Sequence, residues 1–262
     1  MSDQLLFDAR GAVRTITFNR PSQRNALPPE GWLRLRDLLG EIATDAAARV
    51  VVLRGAGGQA FSSGYDIGAL QQLEAQGIVL STPDDPFEQA LAAVVEHPLP
   101  IIAMIDGFAV GGGCTLAAGC DLRLAGASAR FGMPPAKLGV LYSATELKPF
   151  LDLLGPGRAK LLFYSGRIIR AQEALALGLV EVVVPDPELE TYTYALADEI
   201  ATNAPLAVQG TKRILRHMAG PAAPPELAEE IDAIIRRTNT SRDLQEGTRA
   251  FLEKRPPAFG GR

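Results

Sequence analysis

The stretch from Pro100 to Asp121, PIIAMIDGFAVGGGCTLAAGCD, constrains this chain more than any other. Ile101-Ile102-Ala103-Met104-Ile105 is an unbroken apolar run of strand length, which predicts a strand buried on both faces. Asp106-Gly107 breaks it. Gly111-Gly112-Gly113 follow, and Cys114 to Cys120 is small and compatible with a helix. A helix start offers unpaired backbone N–H groups and the positive end of its dipole, and glycines there let a ligand oxygen approach. The element can hold a phosphate or an oxyanion, or it can be only a tight strand–helix junction. A second stretch has the same build. Val50-Val51-Val52-Leu53 reads as a buried strand, and Ala60-Phe61-Ser62-Ser63-Gly64-Tyr65-Asp66-Ile67 follows it with another glycine turn.

The 262 residues suffice for one α/β domain with an appended segment. A hydrophobic fraction of 47% and a charged fraction of 21% are ordinary for a soluble chain. The net charge of −4 argues against general nucleic-acid or anionic-membrane binding. No apolar run reaches membrane-span length, and MSDQLLFDAR lacks the pattern of a signal peptide, so the expected location is cytoplasmic. Cys114 and Cys120 read as small buried residues rather than as a disulfide or a metal site.

Two short strands are predicted within Leu5–Asn19. A helix opens at Pro28-Pro29-Glu30 and runs to about Ala43, with Trp32, Leu35, Leu38, Leu39 and Ile42 at helical spacing. Residues 69 to 98 read as a helix, a break at Ser81-Thr82-Pro83, and a second helix from Pro86 to about Glu96. The break is the expected mobile loop over the site. Leu122 to Ala125 is another short strand, and Phe131 to Tyr142 a loop. Helices are expected over Ala144–Leu154, Arg158–Tyr164 and Gln172–Leu177, then a strand over Val180–Val184. From Leu189 the tail reads as helical, in two or three pieces broken at Ala204-Pro205 and Gly220-Pro221. Strands alternating with helices point to βαβ units, with sites on loops beyond the strand carboxyl ends. His97 and His217, the only histidines, read as surface residues.

In combination and in order, several motifs resemble the crotonase family, also called the enoyl-CoA hydratase/isomerase superfamily. They are Phe18-Asn19-Arg20-Pro21 with Asn25-Ala26-Leu27, FSSGYDI, IDGFAVGGG, Cys120-Asp121-Leu122-Arg123, Phe131-Gly132, Ser165-Gly166-Arg167, Ala171-Gln172-Glu173-Ala174 and Gly178-Leu179-Val180. The resemblance covers nearly the whole chain. It implies an α/β fold, the ClpP/crotonase-like spiral of ββα units. Residues 1–188 would form the core domain and residues 189–262 a C-terminal helical segment for trimerisation. It implies an acyl-CoA substrate, CoA being part of the substrate, with no metal and no separate cofactor. It also implies a homotrimer or a hexamer built as a dimer of trimers, and no nucleic-acid or membrane partner.

The family's shared device is a pair of backbone N–H groups holding a thioester oxygen as an enolate forms. By resemblance these belong to Tyr65 and Gly112. Arg24 resembles a phosphate contact and reads equally as a solvated loop arginine; Lys254, at the far end of the chain, stands in the same balance. The resemblance further places substrate contacts at Ala26, Ser63, Gly64, Asp66, Ile67, Gly111, Thr115 and Pro135. Hydratases of the family carry two glutamates, and here their positions hold Thr115 and Pro135. Water addition needs a proton acceptor and donor near the two carbons. Decarboxylation of a malonyl-type thioester needs neither, since loss of CO₂ leaves the enolate directly.

FGMPPAKLGVLY followed by SATEL is similar to the methylmalonyl-CoA decarboxylase-like members of the family, in which a tyrosine at the position of Tyr142 lies by the reacting carboxylate. Tyr142 is therefore expected to orient the substrate carboxylate, or else to pack its ring. The expected reaction is decarboxylation of a methylmalonyl-CoA-like substrate. Two alternatives stand beside it. One is an enoyl-CoA hydratase or isomerase using a non-standard acid such as Glu146, which reads otherwise as a solvated helix-start glutamate. The other is a CoA-binding pseudoenzyme.

Overall fold

The computed structural model describes residues 4–69, 79–218 and 225–262. The helix expected between residue 69 and the break at Ser81 falls mostly outside them.

Six strands form the main sheet, in the order β1-β2-β3-β5-β7-β10: β1 (Leu5–Arg10), β2 (Val13–Phe18), β3 (Val50–Gly55), β5 (Ile101–Ile105), β7 (Leu122–Gly126) and β10 (Val182–Val184). All neighbours run parallel except β1 and β2. Alternation splits the two buried runs between two cores. Val51, Leu53, Ile101, Ala103 and Ile105 join the larger core with Trp32, Phe61 and Phe87. Val50, Val52, Ile102 and Met104 face the other way and meet Leu189 and Ala197. Each large side chain so buried contributes about 1.5–3 kcal/mol. The helix Leu189–Ala201, the first past residue 188, thus covers one face of the sheet.

A second sheet, β4-β6-β8-β9, lies beyond the first. Its strands are β4 (Ala60–Ser62), β6 (Phe108–Val110), β8 (Arg130–Gly132) and β9 (Ile168–Arg170). Each long strand leads into a short one and then into a helix: β3, β4 and Pro86–Glu96; β5, β6 and Gly112–Gly119; β7, β8 and Pro135–Leu138. Both sheets advance in the same order, which is the ββα spiral. The stretch 131–142, read from sequence as loop, therefore opens in a strand and holds a four-residue helix. The helix Ala144–Ser165 is interrupted at Gly155 (φ 69°), where the sequence separates two helices. Among the described residues the tail has four helices, ending with Pro205–Met218, Pro225–Asn239 and Arg242–Glu253. The break at Thr240-Ser241 escaped notice because Ser241, an N-cap whose hydroxyl accepts from Leu244 N–H, carries no proline or glycine beside it.

Among the described residues no helix is long and apolar enough to cross a membrane. Cys114 and Cys120 are free and buried, and burial pushes both thiols up to about 12. His97 is not a surface residue. It is 4% exposed, its Nε2 lies 3.1 Å from the Leu39 carbonyl, and its Nδ1 accepts from Leu99 N–H at 3.2 Å. The polar turn before Pro98 is covered by two helices, so burial holds the imidazole below its ordinary pKa.

The helix behind the glycine triplet is held at its far end by Arg123, 2% exposed. Its Nη1 donates to the carbonyls of Cys120 (2.6 Å), Ala118 (3.3 Å) and Ala117 (3.4 Å), and its Nη2 pairs with Glu181. Ala118 O lies in the last turn, where a helix leaves acceptors without partners, and Ala117 O also accepts Cys120 N–H at 3.2 Å. Arg123→Met is expected to lower unfolding free energy by about 2–3 kcal/mol, since it strands buried acceptors. Urea unfolding at neutral pH measures it, and a loss under 0.5 kcal/mol would refute this account.

Candidate active site

A cavity of about 470 Å³ opens where three helix starts converge: Gly112–Gly119, Pro86–Glu96 and Ala144–Ser165. The loop after β2 and the turn after β4 form its opposite wall.

The loop is built around Asn25, fully buried with φ 57°. Its Nδ2 donates to Ala60 O (2.6 Å) and Ala56 O (3.0 Å), and its Oδ1 accepts from Arg20 N–H. Ser62 ties the same loop to the FSSGYD turn, donating to Asn25 O and accepting from Gly64 N–H. Leu27 N–H bonds to Gly64 O, and Asp66 N–H to Leu27 O, at 2.9 Å each. In such a parallel bridge the intervening Tyr65 N–H points away from Leu27. Gly64, at φ 88°, packs directly on Gly112. Neither Tyr65 N–H nor Gly112 N–H has a backbone acceptor among the described residues.

The cavity gathers Arg24, Ala26, Ser63, Tyr65, Asp66, Gly111, Gly112, Pro135 and Tyr142 from the sequence expectations. Gly64, Thr115 and Lys254 are not on its lining. Gly64 lies behind Gly112, and Thr115 is fully buried with its hydroxyl donating back to Gly111 O. Lys254 ends the helix Arg242–Glu253 on the exposed surface. The side chain of Ile67 falls outside the described residues, as does that of His217. Arg24 has its guanidinium 5.7 Å from the centre of the Phe108 ring and no acidic partner among the described residues. Asp66, by contrast, is paired with Arg20 at 2.8 Å.

The Tyr65 ring borders the cavity, but its hydroxyl is already engaged. It donates to Asp85 Oδ1 and accepts from Phe87 N–H at 3.1 Å. Burial and the neighbouring Asp85 push the phenol above its ordinary pKa. Asp85 caps the Pro86–Glu96 helix, its Oδ1 accepting from Phe87 N–H and its Oδ2 from Ser81 N–H. The Tyr142 hydroxyl lies beside the glycine turn, about where a side chain on Gly111 would meet it at 3.5 Å. Its ring packs edge-on to Phe163, and burial raises its pKa too.

Of the two readings of Glu146, the solvated helix-start glutamate is the one that fails. The residue is not solvated: only 3% is exposed, and it borders the cavity. Nor is the cavity free of carboxylates, since Asp85 and Glu146 both line it. Ser143 caps the Ala144–Ser165 helix, its hydroxyl accepting from Glu146 N–H while Ser143 N–H donates to Glu146 Oε2 (2.8 Å). This capping box turns the carboxylate back into the protein. Burial, with Glu88 and Asp85 nearby, raises its pKa against a hydrogen bond from Ser81. Sequence reasoning missed Asp85 as part of the lining and Glu88 behind it. The only available signal was Asp85 before Pro86, which marks a helix cap rather than a cavity.

The match with known proteins agrees with this geometry. Residues 8–262 match the family described as Enoyl-CoA hydratase/isomerase, and the chain belongs to that family of acyl-CoA thioester enzymes. It is 33% identical to the short-chain-enoyl-CoA hydratase of Clostridium acetobutylicum, over 97% of this chain and 96% of that one. It is 34% identical to the 2,3-dehydroadipyl-CoA hydratase of Escherichia coli, over 99% of each. The crystal structure of an enoyl-CoA hydratase/carnithine racemase from Magnetospirillum magneticum superposes with a TM-score of 0.89 at 35% identity, covering 100% of this chain and 97% of that one. These relatives carry hydratase names, and the narrower likeness to decarboxylases finds no support among them.

Proposed function

We propose that this enzyme adds water reversibly to a 2-enoyl-CoA, with Glu146 as the one group that moves the proton. The observation that carries the reading is a buried, polarised carboxyl on the cavity shared by Tyr65 and Gly112. Ionised Glu146 takes a proton from water as the water oxygen bonds to C3. The alkene electrons pass to the thioester oxygen, which the Tyr65 and Gly112 N–H groups stabilise as an enolate. Glu146 then returns that proton to C2, so one carboxylate serves as base and acid in turn. A raised pKa makes it a better base near neutral pH than an exposed glutamate. Arg24 would meet a CoA phosphate at the mouth, with Asp85 keeping Tyr65 and the helix start in place. The hydratase names of the relatives support this choice over decarboxylation. So does charge: a malonyl carboxylate would enter beside ionisable Glu146 and Asp85 and be repelled.

The test is incubation with crotonyl-CoA and, separately, with methylmalonyl-CoA. Loss of the enoyl-thioester absorbance with formation of 3-hydroxybutyryl-CoA is expected, with methylmalonyl-CoA left intact. The opposite pattern would overturn the proposal and restore the decarboxylase reading.

A further inference from the structure

Glu88 sits in the first turn of Pro86–Glu96, 7% exposed, and is not part of the cavity lining. Its carboxylate accepts the Ser143 hydroxyl, and the Thr145 hydroxyl as well. Ser143 therefore stands between two carboxylates. Its single hydroxyl proton goes to Glu88, which leaves its oxygen turned to accept Glu146 N–H at 3.1 Å. Its own N–H goes to Glu146 Oε2 at 2.8 Å.

We propose that Glu88 is a positioning residue for Glu146: it orients the Ser143 cap and sets a second carboxylate beside the Glu146 carboxyl. The proposal rests on Glu146 being the acid–base group. A glutamine at 88 could accept the same two hydroxyls, so the tether alone does not require a charge. The charge matters because of what else surrounds Glu146. Asp85 and Glu88 face it from the Pro86–Glu96 helix and its cap, Tyr65 from the FSSGYD turn, and Tyr142 from its own loop. Arg24 is the only cation on the cavity lining among the described residues. Neighbouring like charges make an ionised carboxylate a stronger base, and neutralising one of them weakens the other.

The experiment compares pH profiles of kcat for crotonyl-CoA hydration in the wild type, Glu88→Gln, Glu88→Asp and Glu146→Gln. The rising limb of the wild type reports Glu146 losing its proton. Glu88→Gln should keep its plateau within about threefold and move that limb to lower pH by about one unit. Glu88→Asp keeps the charge and should keep the limb close to its wild-type position. A Glu88→Gln profile lowered uniformly, with its limb unmoved, would reduce Glu88 to a structural tether and overturn the proposal. Should Glu88→Gln not fold, Glu88→Met takes its place: a limb moved to lower pH upholds the proposal, and an unmoved limb overturns it. A fully active Glu146→Gln enzyme sinks the Glu146 assignment instead, which is a separate failure.

Discussion

Glu146→Gln is expected to lower kcat for crotonyl-CoA hydration by two to four orders of magnitude, the usual worth of a positioned acid–base group. Folding should survive the change. Glutamine can still accept Ser143 N–H, so the capping box at the start of Ala144–Ser165 persists. The stability effect has a definite sign. Burial raises the folded-state pKa of Glu146, so the folded protein holds the proton more tightly than the unfolded chain. Above the ordinary glutamate pKa this carboxyl therefore costs stability, and the cost vanishes as pH falls below that value. The variant should melt at or above the wild-type temperature at neutral pH, with the difference closing on acidification. Turnover and thermal melts on the same preparation check both parts. A drop in kcat of less than threefold would remove Glu146 from the mechanism.

The parts of this molecule legible in the sequence are those set by local pattern. Ile101–Ile105 and Val50–Leu53 announce buried strands because nothing polar interrupts them. Gly155, Gly166 and Gly178 mark helix ends through positive φ. The second sheet was not legible: its strands are three residues each, too short for a period-two signal to show. The resemblance put Thr115 and Pro135 where hydratases of the family carry glutamates, and that much could be read directly. The acids at and behind the cavity could not. Glu146, Glu88 and Asp85 each occupy a helix start, where an acid is ordinarily a solvated favour to the dipole. Here two helix starts abut, and only that tertiary contact turns solvated acids into buried ones. His97 was misread for the same reason, since its burial depends on Leu39 from a helix 58 residues earlier.

Gly64→Ala should cost this enzyme most of its turnover. At φ 88° an alanine is strained before any contact is considered, by about 1–2 kcal/mol. Its Cβ would then stand 2.7 Å from Gly112 N, 2.9 Å from Gly112 Cα and 3.1 Å from Gly113 N. All three atoms are backbone, so no rotamer can relieve the clash. The two turns must separate, and with them the Tyr65 and Gly112 N–H groups that share one oxygen in the proposed enolate. Loss of one such donor costs about 10²–10³ in kcat. Gly112→Ala gives the contrast. Its Cβ would meet Gly64 Cα at 3.2 Å and the Phe87 ring at 3.3 Å, at a φ outside the left-handed region, so a shift of a few tenths of an ångström accommodates it. The order of damage is expected to be Gly64→Ala well beyond Gly112→Ala, both read as kcat on crotonyl-CoA at saturating substrate with melting temperatures measured alongside. Equal activities in the two variants would mean that the close approach of these turns does not shape the oxygen site, and the enolate would have to be held by other groups.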